Sequence, residues 1–115
     1  MQKSMVQKRN RRSRYEVIAS IIQSARSARK TSIMYDSHVN LRQLNKYLLE
    51  LVDAGLISLD SATRLYRATA YGLEYLTVYR DYDEARYTLK QKAEELKIRL
   101  QRAQKRASRA EGKYR

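Results

Sequence analysis

Apolar residues recur along this chain at spacings of three and four, then of two, then of seven. From Ser13 to about Ala28, Tyr15, Ile18, Ile22 and Ala25 fall on one helical face, and Val17 and Ile21 widen it. Ser13 and Glu16 form an S-x-x-E capping box at its start. A short segment from Thr31 to Ser37 follows, with Thr31 as its expected cap and Ile33 and Met34 as its core contacts; His38 and Val39 make a tight connection, in which His38 is expected to be exposed. A third helix is expected over Asn40–Ala54. The Asn40–Gln43 cap pair starts it, Leu41, Leu44, Leu48 and Leu51 form its inner face, and Gly55 stops it as a left-handed residue.

After Gly55 the period falls to two. "LISLD" and "RLYRAT" read as two short strands joined around Ser61, Ala62 and Thr63, a two-stranded hairpin. Thr69 caps a last helix that meets no breaker between Gly72, in its first turn, and Gly112. Some 40 helical residues span about 60 Å at about 1.5 Å each. This helix carries two heptad rows: Tyr75, Tyr82, Leu89, Leu96, Ala103, Ala110 and Tyr79, Arg86, Ala93, Leu100, Ala107. Only Arg86 breaches the seam. A stripe so free of charge predicts a coiled-coil homodimer. Its tyrosines lie at one end and its alanines at the other, so an antiparallel pair sets large residues against small ones and keeps every layer filled.

The 115 residues suit one domain with an appendage, and the absence of proline and cysteine favours helices and excludes disulfides and thiolate metal sites. No apolar run approaches a membrane span and no signal-peptide core is evident, which suggests a cytoplasmic protein. The formal charge of +13 is unevenly placed. Residues 1–14 hold six Lys/Arg and no acid, residues 88–115 hold ten against three acids, and the stretch between is neutral. Basic ends on a balanced centre are the electrostatic footprint of a polyanion binder. With one histidine, no cysteine and no glycine-rich phosphate loop, the chain offers no catalytic constellation, no metal site and no evident site for a cofactor or small molecule.

Three short helices followed by a hairpin make a mainly α (α+β) arrangement, the layout of a winged helix-turn-helix domain. There the second helix of the pair enters the major groove of DNA. That helix would be 40–54. Its first two turns present Asn40, Arg42, Gln43, Asn45 and Lys46, donors suited to guanine and adenine edges, while Glu50 and Asp53 come later. Arg64 and Arg67 are expected as wing contacts to the DNA backbone. Arg29, Lys30 and Thr31 open the second segment, where exposed amides can hold a phosphate. Arg12 and Arg14 complete the expected DNA-binding set, and Tyr75, Tyr79, Tyr82, Leu89, Ala93, Leu96, Leu100, Ala103 and Ala107 the dimerisation set. The organisation is thus a basic tail (1–12), a winged helix-turn-helix domain (13–69), a dimerisation helix (70–111) and a basic end (112–115).

"RSRYEVIASII", "KTSIMYDSHVNLRQLNKYLLELVDAGLI" and "LYRATAYGLEYL" resemble the archaeal winged-helix family that includes the ten-kilodalton "a" chromatin protein of Sulfolobus. The resemblance runs roughly from Arg12 to Leu100. Its most specific part is the K-T-x-I-M-Y run at Lys30–Tyr35, followed by the leucine-rich helix and its Gly-Leu-Ile exit. It implies duplex DNA as partner, a dimer through a C-terminal antiparallel coiled coil, and a nucleoid-associated or regulatory role. Ala70 and Tyr71 depart from the charged residues the family often carries before Gly72, and the basic ends are longer than the family's. A partition-type adaptor that spreads along DNA, and a coiled-coil assembly protein without DNA binding, are the alternatives.

Overall fold

The computed structural model describes residues 12–113. Its elements in order are α1 (Arg14–Ser24), β1 (Arg26–Ala28), α2 (Lys30–Ser37), α3 (Leu41–Asp53), β2 (Ile57–Asp60), β3 (Leu65–Ala68) and α4 (Ala70–Lys113). The chain divides into two units, residues 1–80 and 81–115, and α4 begins in the first and runs through the described part of the second.

In the first unit the caps act where short polar side chains meet free amides. The Ser13 hydroxyl accepts from the Glu16 N–H at 3.1 Å, and Asn40 Oδ1 accepts from the Gln43 N–H at 2.8 Å. Gly55, at φ +78°, closes α3. Its N–H donates to Val52 and that of Leu56 to Leu51, the paired bonds of a Schellman turn. Thr69 then ties α4 to that turn. Its hydroxyl donates to the Gly55 carbonyl at 2.6 Å and accepts from the Gly72 N–H at 3.1 Å, while its N–H donates to the Leu56 carbonyl.

Several expectations change. Helix α1 stops at Ser24 rather than Ala28, and Arg26–Ala28 is a strand, so the sheet has three strands in the order β1-β3-β2. The Ala68 N–H donates to the Ala25 carbonyl at 2.8 Å, and Arg26 lies opposite Arg67, so pairing with β3 takes this segment from the helix. Thr31 is not a cap: α2 begins one residue earlier, with Arg29 at the N-cap position and no side-chain cap bond. Leu41 is 52% exposed and Tyr15 56% exposed, so neither belongs to the inner faces assigned to them. Gly112 lies within α4 rather than ending it.

The core comprises Ile18, Ile21 and Ile22 of α1, Ile33 of α2, Leu44, Leu48 and Leu51 of α3, and Ile57 of β2, with Ala25 and Val39. The sheet turns Ile57, Tyr66 and Ala68 toward it and Ser58 and Arg67 away. Tyr75, in the second turn of α4, packs against this core and donates to the Tyr15 carbonyl at 3.4 Å. Burial, with Tyr15 and Tyr79 nearby, pushes its hydroxyl pKa up.

In the second unit the helix surface is exposed throughout residues 81–110, Leu89 at 71% and Leu96 at 70%. Arg86, the charge in the heptad row, pairs with Asp83 at 2.9 Å one turn back and sits over the Tyr82 ring at 5.5 Å. Its charge is thus met within its own helix.

Candidate nucleic-acid interface

Helix α3 is amphipathic in the way a groove-entering helix must be. Leu44, Leu48 and Leu51 are sunk in the core, which fixes the rotation of the helix about its axis. Arg42, Gln43, Asn45 and Lys46 consequently lie exposed on its first two turns. Among the described residues, neither Arg42 nor Lys46 has an ion-pair partner. The acid further along, Glu50, is held by Arg14, whose guanidinium also lies 5.8 Å from the centre of the Tyr47 ring. Asn40 spends its side-chain oxygen on the cap and therefore sets where α3 starts.

A second group gathers beside the helix pair. Arg29, Lys30 and Thr31, at the start of α2, line a cavity of about 460 Å³ together with Leu59, Thr63, Arg64 and Tyr66. No acid lines it. The start of α2 adds the partial positive charge of free helix amides that no side chain caps. Arg64 is delivered by the hairpin turn. The Asp60 carboxylate accepts from the Ala62 and Thr63 N–H groups, the Arg64 N–H donates to the Asp60 carbonyl at 2.7 Å, and Arg64 adopts φ +63°. The structure thus brings Arg29, Lys30, Thr31 and Arg64 to one concavity, although Arg64 stands more than 30 positions from the other three.

Three expected residues fall elsewhere. Arg12 donates to the Ser37 and His38 carbonyls at 2.8 and 3.0 Å and to the Ser20 hydroxyl at 3.3 Å, tying the chain before α1 to the end of α2. His38, exposed and left-handed at φ +57°, caps α2 there. Arg14 is engaged with Glu50, as above. Arg67 lies on the sheet face turned away from the core, where its Nε and Nη2 donate to the Ser27 hydroxyl at 3.1 and 2.7 Å. Sequence patterning missed Arg26 and Ser27, its neighbours on β1. "RSA" contains no β-branched or aromatic residue, so the strand is marked by its pairing with β3 and not by its own residue types.

Among the described residues no helix is long and apolar enough to cross a membrane. No curated protein matches the chain. A solved structure with a similar fold is that of Sso10a-2, a DNA-binding protein from Sulfolobus solfataricus. It is 25% identical, the similarity covers 74% of this chain and 96% of that one, and the TM-score is 0.63. A family model described as winged helix-turn-helix matches residues 11–87, more than half of the chain. The core-anchored helix pair, the hairpin after it and this match agree, and the chain belongs to the winged helix-turn-helix family.

Proposed function

We propose that the protein is a homodimeric binder of double-stranded DNA in the nucleoid. In this account α3 enters the major groove with Arg42, Gln43, Asn45 and Lys46 toward the base edges. The phosphate backbone lies against the concavity of Arg29, Lys30, Thr31 and Arg64, and the heptad face of α4 pairs antiparallel with a second copy. The observation that carries the proposal is the pairing of two cationic surfaces, one on the first turns of a helix whose opposite side is locked in the core and one at an uncapped helix start. The DNA-binding neighbour from Sulfolobus solfataricus supports the same choice of partner.

Arg42→Ala combined with Lys46→Ala tests it. Affinity for a duplex, measured by fluorescence anisotropy at matched salt, should fall at least about tenfold, since contacts of this kind contribute about 1–3 kcal/mol each. Unchanged affinity would remove α3 as the reading helix. Footprinting on random and selected duplexes then separates two roles. Uniform coverage marks an architectural nucleoid protein, and a discrete protected site marks a regulator. The charge favours the architectural role, because the basic ends supply affinity that carries no sequence information.

A further inference from the structure

The outer face of the sheet presents an arrangement that the groove-binding account leaves unexplained. In the β1–β3 register Arg26 stands directly opposite Arg67, and both are exposed. Like charges facing each other across a ladder destabilise it, yet among the described residues neither arginine has an ion pair. Asp60, on the same face, spends its carboxylate on the Ala62 and Thr63 amides at the hairpin end. Asp36, at the edge of this face, lines a hollow beside Arg26 and Ser27 without a bond to either arginine.

The local backbone is built around this pair. The register shifts between Arg26 and Ala28, which leaves Ser27 bulged at φ +53°, a left-handed conformation that serine rarely adopts. The bulge places the Ser27 hydroxyl where it accepts two bonds from the Arg67 guanidinium. That leaves Nη1 and the remaining Nη2 hydrogen of this exposed guanidinium without a partner among the described residues. One guanidinium held by Ser27 and a second exposed beside it, neither of them ion-paired among the described residues, suit the fork geometry of phosphate oxygens.

We propose that Arg26 and Arg67, the latter held by Ser27, bind the phosphate backbone of a second DNA duplex, so that one winged-helix domain holds two duplexes on opposite faces of its sheet. The inference rests on the assignment of the first duplex to α3 and the Arg29–Arg64 concavity. That concavity contains Leu59 and Tyr66 and therefore lies on the core side of the sheet, whereas Arg26 and Arg67 lie on the other. DNA has a persistence length of about 150 base pairs, so a duplex held on one side does not fold around a three-stranded sheet to reach the other.

The test uses the full chain with Arg26→Gln and Arg67→Gln together. One duplex is fixed to beads, and capture of a second, fluorescent duplex is measured beside the affinity for a single duplex in solution. Capture of the second duplex should fall at least about tenfold while single-duplex affinity changes less than about threefold. Arg26→Lys with Arg67→Lys, which keeps the charge, should retain more capture than the glutamine pair. Undiminished capture in the glutamine variant, or a parallel loss of single-duplex affinity, would overturn the proposal. So would a wild-type protein that binds one duplex and captures no second. A wild-type protein that binds no duplex at all would instead overturn the groove-binding account on which the proposal rests.

Discussion

Gly72→Ala should lower the thermal midpoint of the folded domain by more than about 10 °C, the equivalent of roughly 2–3 kcal/mol in a domain of this size. A Cβ at this position would lie 2.2 Å from the Leu56 carbonyl oxygen and 3.3 Å from Ile22 Cγ2. The oxygen has no room to retreat. It belongs to the turn that ends α3, accepts the Thr69 N–H at 3.1 Å, and sits next to the Gly55 carbonyl that the Thr69 hydroxyl grips. Helix α4 would have to lift from that turn, breaking the cap that starts it. Gly55, in contrast, has open space around its Cβ position and needs glycine only for its positive φ. Circular-dichroism melting decides the matter: a midpoint within about 3 °C of wild type would mean that the turn and α4 separate at little cost.

Leu89→Asp together with Leu96→Asp should convert the proposed dimer to single chains of 13.6 kDa, read by light scattering. These leucines occupy one heptad row and are left 71% and 70% exposed by a single chain. Full burial of a leucine contributes about 1.5–3 kcal/mol, and an antiparallel pair would bury four of them, two from each copy. Replacing them with carboxylates both removes that contribution and places charges where no partner meets them. The melting of the winged domain should be unaffected, because its core is made of other residues. A dimer that persists in this variant would move the contact surface off this row.

The parts of the fold visible in the sequence were those with a local physical cause. The Ser13 and Asn40 caps, the Gly55 stop and the period change after it each depend on residues within a few positions of one another, and the structure places all of them as expected. The misplaced features depended on distant partners. Strand β1 exists because β3 pairs with it from some 40 residues away, and α1 ends early for the same reason. Leu41 fits the heptad-like spacing of its neighbours, but it sits in the first turn of α3, where it is left half exposed. Candidate contact residues were legible by type and not by commitment. Nothing in the residue types of Arg12 and Arg14 distinguishes them from Arg42, yet the first two are engaged within the fold. The concavity shared by Arg29 and Arg64 is likewise a product of folding that no spacing announces.

The position of β3 in the sheet also bears on how the domain assembles. A hairpin of two four-residue strands is at best marginal in water by itself. Here its second strand is the central one of three, and its other edge is completed by a strand that precedes both helices of the pair. The wing therefore gains its last ladder only when the beginning of the domain has come back to it, a closure over some 40 residues. Such non-local pairing is slow compared with helix formation and binds the wing to the same cooperative transition as the core. The hairpin that carries Arg64 is thus no independent flap: its folding time and its protection from hydrogen exchange belong to the whole domain.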